Sequence, residues 1–250
     1  MMNIVIPIAG SGSRFVHAGY SKPKPFIDVL GKPMIIRVLD NLAFPDARYI
    51  LIARKDHMES EIELVRQIER EYDAMFIPID KLTEGTACTV LYSRKQINND
   101  EQLIIANSDQ IVDLDIREFV ADCVRRSLDG SILTFEDPDR DPKWSFAKLG
   151  PDNMVMEVQE KKPISNFATV GIYLFSHGRD FVDAAIDMII KQDRVNNEYY
   201  TCPTYNYMIR DGKRVGIFNI PINSMHGIGT PDDLSMYIAQ ESSCNVLRGT

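Results

Sequence analysis

Asn3-Ile4-Val5-Ile6-Pro7-Ile8-Ala9-Gly10-Ser11-Gly12-Ser13-Arg14-Phe15 is the stretch on which the fold turns. Its first half, Asn3 to Ala9, is a short apolar run, suited to a buried strand. Its second half is a glycine loop. A strand that runs into such a loop can open a dinucleotide-binding unit, but that fingerprint needs a third glycine to bring the following helix close. Here Arg14 and Phe15 follow instead. The loop also lacks the Gly-Lys-Ser/Thr of a Walker motif. Taken alone, Gly10 and Gly12 fit an ordinary tight turn equally well.

Outward from this stretch, apolar runs and amphipathic segments alternate. Strands are expected over 48–53, 74–79, 102–107 and 130–135. Helices are expected over 33–42, 58–72, 86–96 and 116–127. Such alternation predicts an α/β fold, with a mixed but mostly parallel central sheet and helices on both faces. After Asp137 the rhythm changes. Short strands over 146–149, 155–160 and 168–175 make the second half β-rich, with helices at 180–191 and within 197–210 and a strand at 215–220. A last helix over 231–239 begins at Pro231, with Thr230 placed to cap it. No repeat or long linker divides the chain. The expectation is one domain over residues 1–240 and a polar tail over 241–250.

The composition supports a globular protein. The chain has 250 residues, 44% hydrophobic and 26% charged, which is ample for a core. No apolar run approaches a membrane span and no export signal is visible, so a cytoplasmic location without membrane attachment is expected. The net charge of −8 argues against nucleic acid as a partner. The four cysteines form no CxxC pair and the four histidines are scattered, which reads as reduced thiols and no zinc motif.

Against that acidic background, Arg14, Lys22, Lys24, Lys32 and Arg37 lie close together, opposed only by Asp28. The pattern suits a small anionic ligand as well as it suits a solvated face. A polyphosphate needs backbone N–H groups that can approach closely, which glycines allow, and cations to offset its charge. Arg14 and Lys24 supply the cations, and Pro23 and Pro25 stiffen the segment between them. Farther on, Asn107-Ser108-Asp109 closes a buried strand, the edge at which open α/β sheets bind ligands. Asp109 can hold a magnesium ion there or cap a helix. Asp113 and Asp115 read as caps for the next helix.

Ile8 to Phe15, then Lys24 ten residues after Arg14, then Lys32-Pro33-Met34-Ile35, resembles the sugar-phosphate nucleotidyltransferases in motif order and spacing. The resemblance covers residues 3–240 and implies a Rossmann-like nucleotide-diphospho-sugar transferase fold. It implies the reaction of a nucleoside triphosphate (NTP) with a phosphorylated small molecule, giving an NDP-linked product and pyrophosphate. By that resemblance Arg14 and Lys24 are the catalytic pair, and Ala9, Gly10, Ser11, Gly12, Ser13, Gly85, Thr86 and Ser108 bind the nucleotide. Asp109 takes the place of the family's Mg2+ aspartate. The family's second metal aspartate falls at Gly227 in His226-Gly227-Ile228-Gly229-Thr230, a departure from the pattern.

On the substrate side, Glu160-Lys161-Lys162-Pro163 resembles the family's E-K-P segment, with Lys162 at the phosphate lysine. Asn196-Asn197-Glu198-Tyr199-Tyr200 resembles the segment in which the family sets a glutamate against substrate hydroxyls, which implies that role for Glu198, and Trp144 falls at another substrate wall of the family or is plain packing. Leu82 to Thr89, Ala106 to Gln110, Pro142 to Lys148 and Asn196 to Pro203 resemble a subgroup of capsule and surface-polysaccharide pathways. That subgroup includes a CTP:phosphoglutamine cytidylyltransferase, so the substrate is either a sugar phosphate or a phosphorylated amino acid. Asp80 stands where thymidylyl and uridylyl members carry a base-pairing glutamine. An ionised carboxylate only accepts hydrogen bonds and suits the cytosine amino group, so CTP is the expected nucleotide. Two rivals stay open: a glycosyltransferase of the same fold and a non-catalytic nucleotide-binding subunit. A homo-oligomer is also left open.

Overall fold

A computed structural model describes residues 1–248, with side chains described through Ser243. Strand β1 (Met2–Pro7) leads into the glycine loop and the short helix α1 (Ser13–His17). A small ribbon, β2 (Asp28–Val29) and β3 (Lys32–Pro33), precedes α2 (Met34–Asn41) and β4 (Ala47–Arg54). Helices α3 (Lys55–Ser60) and α4 (Ile62–Glu71) connect to β5 (Ala74–Ile79), and α5 (Thr86–Val90) and α6 (Arg94–Ile97) to β6 (Gln102–Ala106). The second half runs β7 (Gln110–Val112), α7 (Ile116–Arg125), β8 (Gly130–Glu136), β9 (Phe146–Leu149), β10 (Val155–Gln159) and β11 (Phe167–Phe175). It ends with α8 (Gly178–Ile190), α9 (Thr204–Arg210), β12 (Val215–Ile220), β13 (Met225–Gly227) and α10 (Pro231–Arg248).

The expected α/β architecture is present. Strand β1 pairs in parallel with both β4 and β6, and β4 with β5. Strand β11 then runs antiparallel to β6 and β8, β12 lies parallel to β8, and β9 and β10 extend the other end of β11. The central strands are continuous apolar runs because both faces are covered. Ile4 and Ile6 pack with Leu51 and Ile104 on one face. Val5 packs with Ile50, Ile52, Leu103 and Ile105 on the other. None of Ile4, Val5 and Ile6 is exposed at all. The parallel strands therefore end together, and three loops meet at their C-terminal edge: 8–12, 80–85 and 107–109.

Several elements differ from the sequence reading. The helix expected over 58–72 is two helices broken at Glu61, because only Val65 and Ile68 of the second are buried and it turns to lay them on the sheet. The helix expected over 86–96 breaks at residues 91–93, where Ser93 Oγ donates to the Val90 carbonyl and competes with the helical backbone. Asp115 caps α7, accepting from the Arg117 N–H, whereas Asp113 is drawn to His226 Nε2 at 2.9 Å. Thr230 caps α10 as expected, accepting from the Asp233 N–H at 3.1 Å. That helix continues past Ala239 to Arg248, and the last two residues of the expected tail lie outside the described residues. No described helix is long and apolar enough to cross a membrane.

Two glycines are set by geometry. Gly12 has φ +60°, and a Cβ there would lie 3.1 Å from Lys24 Cβ, so the loop and the lysine segment touch. Gly85 has φ +116°, and a Cβ would overlap the Tyr199 backbone. The 84–87 and 199–201 segments are joined there by Tyr199 N–H to the Glu84 carbonyl (2.7 Å) and Ala87 N–H to the Tyr199 carbonyl (3.0 Å). Gly85→Ala combines a conformation open to glycine alone with a backbone clash. It should cost at least about 2 kcal/mol, read as a lower urea midpoint. A loss below about 0.5 kcal/mol would show that this crossing is not fixed by close backbone approach.

Candidate active site

A cleft of about 490 Å³ opens at the C-terminal edge of the parallel strands, within the range of small-molecule sites. One wall is the whole loop from Ala9 to Arg14, which β1 delivers. Among the described residues, none accepts a backbone hydrogen bond from the N–H of Gly12, Ser13 or Arg14, so these donors remain free for an anion. Opposite stand Lys24 and Asp109, whose Nζ and Oδ2 are 2.5 Å apart, with side chains 18% and 21% exposed. They come from segments 85 residues apart. Lys24 is presented by a single 3-10 turn, Lys24–Phe26, with Phe26 anchored in the core. Asp109 follows β6 and is held by the Ile228 N–H, which donates to its carbonyl at 2.9 Å.

The third wall comes from 82–86 and 198–200. Gly85, Thr86 and Glu198 line the cleft, as does Ser108 on the floor. Thr86 Oγ1 accepts from the Thr201 N–H at 3.1 Å, which ties these two segments at the site itself. A second compartment of about 210 Å³ adjoins the first and shares Thr86, Asn107, Asp109 and Tyr200 with it. Trp144 lines this compartment and also packs edge-on against Phe135 at 5.4 Å, so it is wall and packing at once.

The structure thus brings together Ala9, Gly10, Ser11, Gly12, Ser13, Arg14, Lys24, Gly85, Thr86, Ser108, Asp109 and Glu198, with Trp144 in the adjoining chamber. Asp80 and Lys162 do not line it. Asp80 is exposed at the start of its loop, where Leu82 and Thr83 form the wall instead. Lys162 is exposed after β10, and it is Lys161 that reaches inward, donating from Nζ to Tyr200 Oη at 2.7 Å. Gly227 pairs with Gln110, one residue beyond Asp109, and a Cβ there would meet nothing within 4 Å. Gly227 lines neither compartment; it is Gly229 that lies against Asp109, where a Cβ would fall 2.6 Å from Oδ2.

The sequence reading passed over Glu160 as a functional residue. Its carboxylate lines the second compartment, is 9% exposed and accepts from Ser145 Oγ. Burial pushes its pKa above the ordinary glutamate value, against the opposing effects of Ser145 and Lys161. The signal was present in the alternation of β10. Val158 is buried, and two residues on, Glu160 returns to the same side.

Comparisons with known proteins agree with this geometry. The model of the nucleotidyl transferase family matches residues 4–239. The chain belongs to that family. It is 28% identical over 178 residues to the bifunctional protein GlmU of Methanococcus aeolicus, covering 70% of this chain and 40% of that one. It is 21% identical over 178 residues to a putative mannose-1-phosphate guanyltransferase of Sulfolobus acidocaldarius, covering 70% and 48%. The chain spans about half or less of the length of these relatives. Among solved structures, a nucleoside-diphosphate-sugar pyrophosphorylase from Vibrio cholerae superposes with a TM-score of 0.78 at 23% identity, covering 94% of this chain and 99% of that one. A putative glucose-1-phosphate thymidylyltransferase from Bacillus anthracis gives 0.75 at 20%, covering 96% and 95%. These two show the shared fold.

The position of Glu160 gives a pH dependence of stability. Its folded pKa lies above its unfolded one, so the native state binds more protons between them and stability falls as pH rises through that window. Glu160→Gln keeps an acceptor for Ser145 and removes the charge. At pH 7 the variant should be as stable as the parent or more so, with the difference vanishing towards pH 4. A variant clearly less stable at pH 7 than the parent would show the charged form to be favoured in place.

Proposed function

We propose that the chain is a nucleotidyltransferase that joins an NTP to a phosphorylated small molecule and releases pyrophosphate. One observation carries this reading: Lys24 and Asp109 face the free N–H groups of the glycine loop in one cleft. A site for a bare nucleotide sugar would leave that triphosphate-sized arrangement of cations and donors without a purpose. The names of the relatives point to sugar phosphates as the substrate class.

In this reading the substrate phosphate oxygen attacks the α-phosphorus of the NTP. The α–β bridging bond breaks and pyrophosphate carries away the electron pair. The nucleophile is already ionised, so no general base is required, and the protein's work is charge neutralisation and in-line alignment. Arg14 and Lys24 offset the triphosphate charge. Glu198 positions the substrate from the first cleft and Trp144 and Glu160 from the second compartment, and Lys162 approaches its phosphate from the rim. Asp109 would hold Mg2+, which neutralises phosphate oxygens when bound. One carboxylate with phosphates and water is a normal Mg2+ donor set, so Asp109 on the cleft wall fits that ion.

CTP is the proposed nucleotide and a sugar phosphate the leading substrate, with a phosphorylated amino acid for capsule synthesis as the alternative arm. The loop that starts at Asp80 reaches the cleft through Leu82, Thr83 and Gly85. Asp80 contacts the base when that loop closes on bound nucleotide. Pyrophosphate release with the four NTPs and a panel of phosphorylated substrates should show CTP used tenfold to a hundredfold better than UTP or dTTP, the effect of about 1–3 kcal/mol for one mismatched contact. Asp80→Gln should reduce the use of CTP selectively. Equal or better use of UTP or dTTP would overturn the base assignment and leave the reaction class standing.

Two substitutions test the reaction itself. Lys24→Ala should lower turnover by a few orders of magnitude, about 3–4 kcal/mol, with the far-UV spectrum unchanged. Asp109→Asn should abolish the magnesium-dependent rate. Unchanged pyrophosphate release in either folded variant would remove that residue from the machinery.

A further inference from the structure

At the opposite edge of the sheet, Asp129 meets His177 and Asp180, which lie three residues apart at the start of α8. Asp129 precedes β8, His177 follows β11, and Asp180 lies in the first turn of α8. Strand β11 runs antiparallel to β6, so this cluster sits by the first residues of β6 while the catalytic cleft sits beyond its last. The two edges are separated by the length of that five-residue strand, about 16 Å. We propose that the cluster binds a single divalent transition metal ion of the Zn2+ class, distinct from any ion at Asp109.

Donor geometry is the first support. One ligand atom from each of the three side chains lies within 4.8 Å of the others. His177 Nδ1 and Asp180 Oδ2 are 3.4 Å apart. Bonds of about 2.0–2.2 Å to a tetrahedral ion place neighbouring donors about 3.3–3.6 Å apart, so this pair already stands at the edge length of such a site. Imidazole with two carboxylates suits Zn2+, whereas Mg2+ prefers oxygen donors alone.

The second support is independent of spacing. Asp180 is 8% exposed, and its Oδ2 is buried with no hydrogen-bond partner. His177 Nδ1 is likewise buried without one, although the ring is partly exposed. Two adjacent buried polar atoms, neither with a hydrogen-bond partner among the described residues, are costly, and a metal ion satisfies both. His177 occupies the N-cap position of α8 and caps nothing with its side chain.

A cation already stands nearby. Lys213 Nζ is 3.0 Å from Asp180 Oδ1 and 3.9 Å from Asp129 Oδ1. One ammonium offsets half the charge of two carboxylates and leaves Oδ2 of Asp180 facing only the imidazole, at 3.4 Å. Its side chain is 32% exposed, on the turn before β12, and its flexible stem lets it withdraw to solvent. Asp129 stays in place without it, since its Oδ2 accepts from the Arg214 N–H at 2.8 Å. Lys213 is therefore a competitor for the ion, and removing it should tighten binding.

The test is calorimetric titration of the full chain, stripped with chelator, using Zn2+ and then Co2+ as probes. We expect one equivalent of Zn2+ to bind. His177→Gln should weaken it at least tenfold, and Lys213→Met should tighten it at least threefold. Bound Co2+ should give the visible absorption of a four-coordinate ion in the parent, and His177→Gln should lose it. The unfolding temperature in chelator checks that each variant is folded. Absence of saturable Zn2+ binding would overturn the proposal, leaving an ion-pair cluster neutralised by Lys213. Zn2+ binding of equal affinity in folded His177→Gln would also overturn it, assigning the ion to thiols such as Cys88.

Discussion

The parallel pairing of β1 with both β4 and β6 is the constraint from which the rest of the molecule follows. It fixes the register of the sheet, since Val5 faces Ile50 on one side and Ile105 on the other. With all neighbours in parallel, the chain must leave β1 at the same edge where it leaves β6. The glycine loop and Asp109 are therefore brought to one cleft by backbone pairing alone. The close approach of Gly12 to Lys24 then places the lysine between them. The resulting ion pair joins segments that nothing in local sequence connects.

The cleft is electrically divided. Its first compartment sets Arg14, Lys24 and backbone N–H groups beside two carboxylates, Asp109 and Glu198. Its second is lined by the buried Glu160, by Trp144 and by Tyr200, and burial with neighbouring carboxylates raises the Tyr200 pKa. Such a division suits a reaction in which a polyanion on one side meets a hydroxyl- or amine-bearing group on the other. The two compartments share Asp109 and Thr86, so both ligands approach one point. Gly229 packs directly against the Asp109 carboxylate, and both line the first compartment. Membership of the nucleotidyl transferase family and the geometry point the same way from independent grounds.

Much of this was legible in the sequence where strand ends are punctuated. Gly10, Gly12, Arg14 and Asp109 each follow an apolar run directly, and an α/β sheet sends such positions to one edge. Lys24 was legible through its spacing from Arg14. Side-chain direction was harder to read. Lys161 and Lys162 are adjacent, chemically alike and both exposed, yet it is Lys161, at φ 54°, whose Nζ meets Tyr200. The break within 86–96 depended on a serine hydroxyl finding a carbonyl three residues back. In the cluster at Asp129, His177 and Asp180, only the i,i+3 spacing of the last two is local; Asp129 joins them through the antiparallel pairing of β11 with β8. Scattered histidines gave no hint of it.

Lys24 and Asp109 are paired across the cleft, and the proposed reaction requires them to separate around a triphosphate. A crystal structure with CTP or a non-hydrolysable analogue and Mg2+ tests it most directly. The account predicts the triphosphate wrapped by residues 9–14, Lys24 Nζ moved from Asp109 to phosphate oxygens, and Asp109 facing the metal. A nucleotide bound elsewhere, or bound here with the Lys24–Asp109 pair unbroken, would contradict it.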